Sequence, residues 1–153
     1  MSQHAEHELV VSRVFDAPRS IVFKAWTEPK HLARWWAPKG FTLAACKLDV
    51  RSDGVFRFVM RSAEGREHTV QGVYKEIVEP KRIVSTWAWV DENDKSGPET
   101  DLAITFAEHG RNSTKLTLRQ MTFESSAARD SHKAGWIESL ERLAEYVSKA
   151  IER

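Results

Sequence analysis

The last quarter of this chain most constrains what it can fold into. From about Ser126 to Glu152, Trp136, Leu140, Leu143, Val147 and Ile151 recur at spacings of four, three, four and four, and most other positions are charged. That period predicts a long amphipathic helix with a single apolar stripe. Such a stripe has to be buried against another layer, so the preceding residues must supply a surface large enough to cover it.

They read as strands. In Glu8–Phe15, β-branched and apolar residues fall on both sides of a two-residue period. Asp16-Ala-Pro18 reads as a helix start, with Asp16 able to cap and Pro18 suited to the first turn. Across Arg19–Thr27, Ile21 pairs with Ala25 and Val22 with Trp26 at helical spacing. Pro29 separates this helix from a second short one over Lys30–Trp36, with Leu32, Trp35 and Trp36 on its apolar side, and Pro38 and Gly40 end it. The period then returns to two. Thr42–Val50 is predicted as a strand, followed by an Asp53-Gly54 hairpin signal. Val55–Arg61 comes next, with Phe56, Phe58 and Met60 on one face. Four more strands are predicted: His68–Val78, Arg82–Val90, Asp101–Ala107 and Thr114–Gln120. The third of these six puts Tyr74 and Glu76 on one face, and the fourth does the same for Ile83, Ser85, Trp87 and Trp89. The order β, α, α, six more β, then a long α gives an α+β class, in which one antiparallel sheet wrapped around the long helix would bury its stripe.

Composition narrows the partners. At 153 residues the chain is expected to form a single domain over 8–153 after a flexible 1–7. Lys plus Arg total 23 against 22 Asp plus Glu, so a concentrated phosphate-binding patch, and nucleic acid as a partner, are not expected. The single cysteine, Cys46, allows no disulfide framework or cysteine zinc cluster, and reads as a small buried hydrophobe. The start, MSQHAEHELV, lacks the basic and apolar regions of a signal peptide, and no run of apolar residues is long enough for a membrane span. The expectation is a cytoplasmic protein without a membrane partner.

The words FDAPRSIVFKAWTEPKHLARWWAPKGF (15–41), LDVRSDGVFRFVMR (48–61), VQGVYKEIVEPKRIVSTW (70–87) and KAGWIESLERLAEYV (133–147) resemble a bacterial branch of the SRPBCC superfamily, also called START or Bet v 1-like. Within it the chain is most similar to the group named after the activator of Hsp90 ATPase. The resemblance implies a helix-grip fold: a curved seven-stranded antiparallel sheet around the C-terminal helix, two short helices closing one end, and in many members an apolar cavity between sheet and helix. It implies no particular reaction, since fold does not dictate function.

The candidate site residues follow from the faces and that resemblance. Trp35, Trp36, Phe56, Phe58, Met60, Tyr74, Ser85, Trp87 and Trp136 are the expected ligand-binding set, with Trp89 among the same aromatics. Such residues can line a pocket or simply fill the space between sheet and helix. Neighbouring helical positions point about 100° apart, so Trp35 and Trp36 divide into a structural plug and a pocket rim, in an order left open. Polar candidates on inward faces are Tyr74, Glu76, Ser85 and Gln120, with His132 at the start of the long helix. Glu76 and His132 form the one conceivable acid–base pair, and nothing in their spacing joins them, so no catalytic residue is assigned. His4, Glu6, His7 and Glu8 cluster near the start, the other histidines are scattered, and no metal site or cofactor is expected. The charged helix face Arg129, Lys133, Glu138, Glu141, Arg142 and Glu145 mixes signs and reads as solvated.

Three functions stay in view. The first is a protein binding a hydrophobic or aromatic small molecule, as a monomer or weak homodimer. The second is a cyclase- or hydrolase-like enzyme in the same cavity. The third is regulation of an Hsp90-type chaperone ATPase. The eukaryotic activator uses an additional N-terminal domain, for which the residues ahead of the first strand leave no room, so the chaperone role is the less expected.

Overall fold

A computed structural model describes residues 7–37 and 39–149. In chain order the elements are β1 (Leu9–Phe15), α1 (Arg19–Thr27), α2 (Pro29–Trp35), β2 (Phe41–Leu48), β3 (Val55–Ser62), β4 (Glu67–Val78), β5 (Arg82–Val90), β6 (Thr100–Glu108), β7 (Thr114–Met121) and α3 (Ser126–Lys149). The seven strands form one antiparallel sheet in the order β1-β7-β6-β5-β4-β3-β2. β1 and β2 are neighbours in sequence and lie on opposite edges, so α1 and α2 carry the chain from one edge to the other. The sheet curls into a half-barrel around α3.

The α3 stripe is buried as Trp136, Leu140, Leu143 and Val147, joined by Ser139; Ile151 lies outside the described residues. Inward strand residues belong to the same core cluster, among them Phe58, Val70, Leu102, Ile104, Leu116 and Leu118. Burying an aliphatic or aromatic side chain of this size stabilises the fold by about 1.5–3 kcal/mol. The stripe therefore holds the helix inside the sheet despite a mostly charged remainder.

The two short helices pack as a unit at one end. Pro29 opens α2 at its first turn. The N-cap of α1 is Pro18, whose ring fixes the extended backbone from which the helix starts. Trp35, fully buried, sends its indole N–H to the Ala25 carbonyl at 2.9 Å and meets Trp26 edge to face at 4.7 Å, locking α2 onto α1. The exit of α2 is tied to α3: Ser139 Oγ donates to the Trp36 carbonyl at 2.7 Å, and Arg142 donates to the Ala37 carbonyl. These bonds satisfy carbonyls that the end of a helix leaves unpaired.

Two bulges change a face, one in β2 between Leu43 and Ala45 and one in β4. The β4–β5 register shifts between Tyr74, opposite Ser85, and Glu76, opposite Val84. Before this bulge Val70, Gly72 and Tyr74 are buried; after it Glu76 is exposed and Ile77 turns toward the core. Strict alternation puts Glu76 on the inner face, and the extra residue of the bulge reverses it. Glu76 instead pairs with Arg82 on the outer surface at 2.8 Å.

Candidate functional site

Between the concave sheet and α3 lies a cavity of about 330 Å³, open on one side. Its sheet wall is built from strands whose alternate residues face inward: Phe41 of β2, Met60 of β3, His68 of β4, and Trp87 and Trp89 of β5. Trp36, just past α2, closes one end. The helix wall consists of Trp136 with Ser131, His132, Gly135 and Ser139. Three of these are small and give the cavity its room. Ser131, Gly135 and Ser139 recur every four residues beside the apolar stripe, and a Cβ placed on Gly135 would meet nothing within 4 Å.

Deeper in, a second space of about 30 Å³ shares Trp36 and Trp87 as walls with the first. Phe56, Phe58, Tyr74 and Ser85 line it from the sheet, and Trp26 and Leu32 from the helices. Trp36 stands between the two spaces, edge to face with Phe58 at 5.1 Å and tilted against Trp87 at 5.9 Å.

Of the expected set, Trp36, Met60, Trp87 and Trp136 line the outer cavity, and Trp36, Trp87, Phe56, Phe58, Tyr74 and Ser85 line the inner one. Trp35 lines neither, being enclosed between α1 and the core. The plug is thus Trp35, and Trp36 stands at the pocket. Residues that the strand faces alone did not single out are Phe41 and His68, near the open edge of the sheet, and the small residues of α3. The four-residue spacing of Ser131, Gly135 and Ser139 is a readable signal for the latter.

The polar groups divide into satisfied and unsatisfied. Gln120, fully buried, accepts the Trp136 N–H at 2.9 Å and donates to Thr100 Oγ1 at 2.8 Å, which donates to the Trp87 carbonyl at 2.9 Å. That relay fixes Trp136 against β5, β6 and β7. His132 is half-buried at the outer cavity rather than exposed, because α3 rolls it toward β5. The Trp89 indole donates to its Nε2 at 2.8 Å, so Nδ1 carries the proton and donates to the Ala128 carbonyl at 2.8 Å. Burial holds the pKa of His132 below its ordinary value, with the bond to Ala128 opposing in part. Both ring nitrogens are engaged, and Glu76 lies on the opposite face of the sheet, so the structure does not bring this pair together.

Tyr74 and Ser85 are different. Both are at least nine-tenths buried, they stand opposite one another across the β4–β5 pair, and both line the inner space. Burial, with a smaller contribution from Cys46, pushes the Tyr74 phenol upward, so it stays protonated. Cys46 itself is half-buried against the core, its thiol pushed up to about 11 by burial. Of the residues around the inner space, Trp26 and Trp87 have indole N–H groups buried without an acceptor. No Asp, Glu, Lys or Arg lines either space among the described residues, and none of their His, Cys, Asp and Glu side chains form a metal-binding group. His4 and Glu6 lie outside the described residues. No helix among the described residues is long and apolar enough to cross a membrane.

The sequence profile of the family described as activator of Hsp90 ATPase homolog 1-like protein matches residues 16–148. Among solved structures, a protein from Chromobacterium violaceum is 28% identical, covers 93% of this chain and 97% of its own, and superposes with a TM-score of 0.81. The AHSA1 protein from Silicibacter pomeroyi is 25% identical over 92% of this chain and 97% of its own, with a TM-score of 0.83. A protein from Nitrosomonas europaea is 25% identical over 95% and 96%, with a TM-score of 0.79. No curated protein matches the sequence significantly.

Proposed function

The chain belongs to the activator of Hsp90 ATPase homolog 1-like family, and on that premise we propose that it is a small-molecule binding protein whose ligand is neutral and apolar or aromatic. The observation that carries this reading is the open cavity of about 330 Å³ between sheet and α3, walled by Trp36, Trp87, Trp89 and Trp136. That volume is at the small end of ligand pockets, about 300–1,000 Å³, and its lining of aromatic faces with few polar groups is the usual composition of such sites. Planar rings give a flat ligand large contact at little entropic cost. The absence of carboxylates and cations from the walls among the described residues disfavours charged ligands, whose desolvation nothing there would offset.

An enzyme in the same cavity would need a titratable group free to move a proton. Of the two imidazoles on the wall, His132 has both nitrogens in hydrogen bonds and His68 has no carboxylate beside it in the lining, which favours binding over catalysis. Regulation of a chaperone ATPase draws on no feature of the pocket, and a pull-down that recovered an Hsp90-type chaperone and altered its ATPase rate would replace the binding reading.

The test is a fluorescence titration, read through the tryptophans, against a panel of neutral aromatic compounds such as naphthalene, 2-naphthol and biphenyl. Saturable quenching by at least one compound, abolished by filling the pocket with Gly135→Phe, is the expected result. No saturable signal from any compound would sink the reading.

A further inference from the structure

The outer cavity accounts for an apolar ligand body but gives no reason for Tyr74 and Ser85. A hydroxyl on the wall of an otherwise apolar space finds its hydrogen bond only in water or in a polar group of a ligand. Here two stand opposite each other on β4 and β5, at the bulge that sends Glu76 outward, inside walls otherwise made of Trp, Phe, Leu and Ile. Cross-strand neighbours have Cβ atoms about 4.5–5.5 Å apart, and both side chains line the same small space. The space they line, about 30 Å³ against about 330 Å³ for the outer cavity, suits a small polar substituent rather than the ring system.

We propose that the Tyr74 and Ser85 hydroxyls form a polar anchor for one neutral oxygen, a hydroxyl or carbonyl, at the leading end of an aromatic ligand. This deepens the binding reading and rests on it. The ring system occupies the outer cavity against Trp87 and Trp136, and the oxygen passes where Trp36 and Trp87 now stand 5.9 Å apart. Those two rings part as the ligand seats. The Tyr74 phenol donates to the oxygen, and Ser85 Oγ, which can donate or accept, lets the site take either a carbonyl or a hydroxyl. A carboxylate is excluded, because no cation lines the inner space among the described residues to replace its hydration.

The test uses three probes with one carbon skeleton: naphthalene, 2-naphthol and 2-naphthoate, titrated by tryptophan quenching at pH 7. Wild-type protein is expected to bind 2-naphthol about ten-fold more tightly than naphthalene, the gain of one or two hydrogen bonds, and 2-naphthoate most weakly. Tyr74→Phe is expected to erase the preference for 2-naphthol while leaving naphthalene unchanged. Ser85→Ala should reduce the preference, and carries the test if Tyr74→Phe fails to fold. Equal binding of naphthalene and 2-naphthol by wild type overturns the anchor and leaves the binding reading standing. A preference that survives in both variants also overturns it. Binding of none of the three overturns the anchor, and failure of the wider panel overturns the binding reading with it.

Discussion

Trp136 is the cavity wall whose position is most tightly specified, and its anchoring can be measured. Its N–H bonds to Gln120, Gln120 to Thr100, and Thr100 to the Trp87 carbonyl, so one buried relay ties α3 to three strands. Trp136→Phe keeps an aromatic ring and removes the donor. Gln120 Oε1 is then left unpaired where Gln120 is wholly buried, at a cost of about 1–3 kcal/mol. Gln120→Leu leaves the Trp136 N–H unpaired in the same surroundings, again about 1–3 kcal/mol. The double variant strands neither group, so it should cost less than the two singles together, with a coupling of about 1–2 kcal/mol. Trp87→Phe is the control: that indole has no acceptor to lose, and its cost should be the smaller. Urea unfolding with an unchanged m-value reads all four. Additive costs, within about 0.5 kcal/mol, or a Trp87→Phe loss matching that of Trp136→Phe, would refute the relay.

Other outcomes follow from the same geometry. Trp35→Ala removes a fully buried, hydrogen-bonded ring and should cost about 3–5 kcal/mol. Trp36→Ala, beside existing empty space, should cost less and change naphthalene affinity, and the reverse order would contradict the assignment of plug and rim. Protonating His132 would place a second donor against the Trp89 N–H. Its folded pKa lies below the ordinary 6.5, so its contribution is present above 6.5 and is lost as pH falls through the folded value. The urea midpoint should therefore drop more between pH 7.5 and pH 5 in wild type than in His132→Gln; equal drops would assign the loss to other groups. A Cβ at Gly72 would overlap the Thr86 carbonyl and the Phe56 ring. Gly72→Ala should thus destabilise by about 1–3 kcal/mol and weaken 2-naphthol binding as Phe56 is pushed aside, whereas a neutral substitution would show that Phe56 is free to move.

Much of this architecture is legible in the sequence because two periods rarely imitate each other. Phe56, Phe58 and Met60 alternate, Trp136, Leu140, Leu143 and Val147 do not, and that contrast alone separates the sheet from the helix it grips. Boundaries move by a residue or two: the second short helix, expected over Lys30–Trp36, spans Pro29–Trp35. Glu76 was not legible, since a one-residue bulge leaves no mark in an alternation pattern and reverses every face after it. Nor was the order of Trp35 and Trp36, which depends on how α2 docks on α1 rather than on its own period. His132 falls between these cases. Its helical position is plain from sequence, but its burial depends on the roll of α3 and on Trp89, which comes from a strand 43 residues earlier.

The central claim is that a ligand enters the space between sheet and α3, and the six tryptophans report on it directly. In a ¹⁵N–¹H spectrum of the indole N–H groups titrated with 2-naphthol, the signals of Trp36, Trp87, Trp89 and Trp136 should shift together and saturate. The signal of Trp35, enclosed between α1 and the core, should stay in place. Six unmoved signals, or a shift of Trp35 with the four cavity indoles unchanged, would contradict the account.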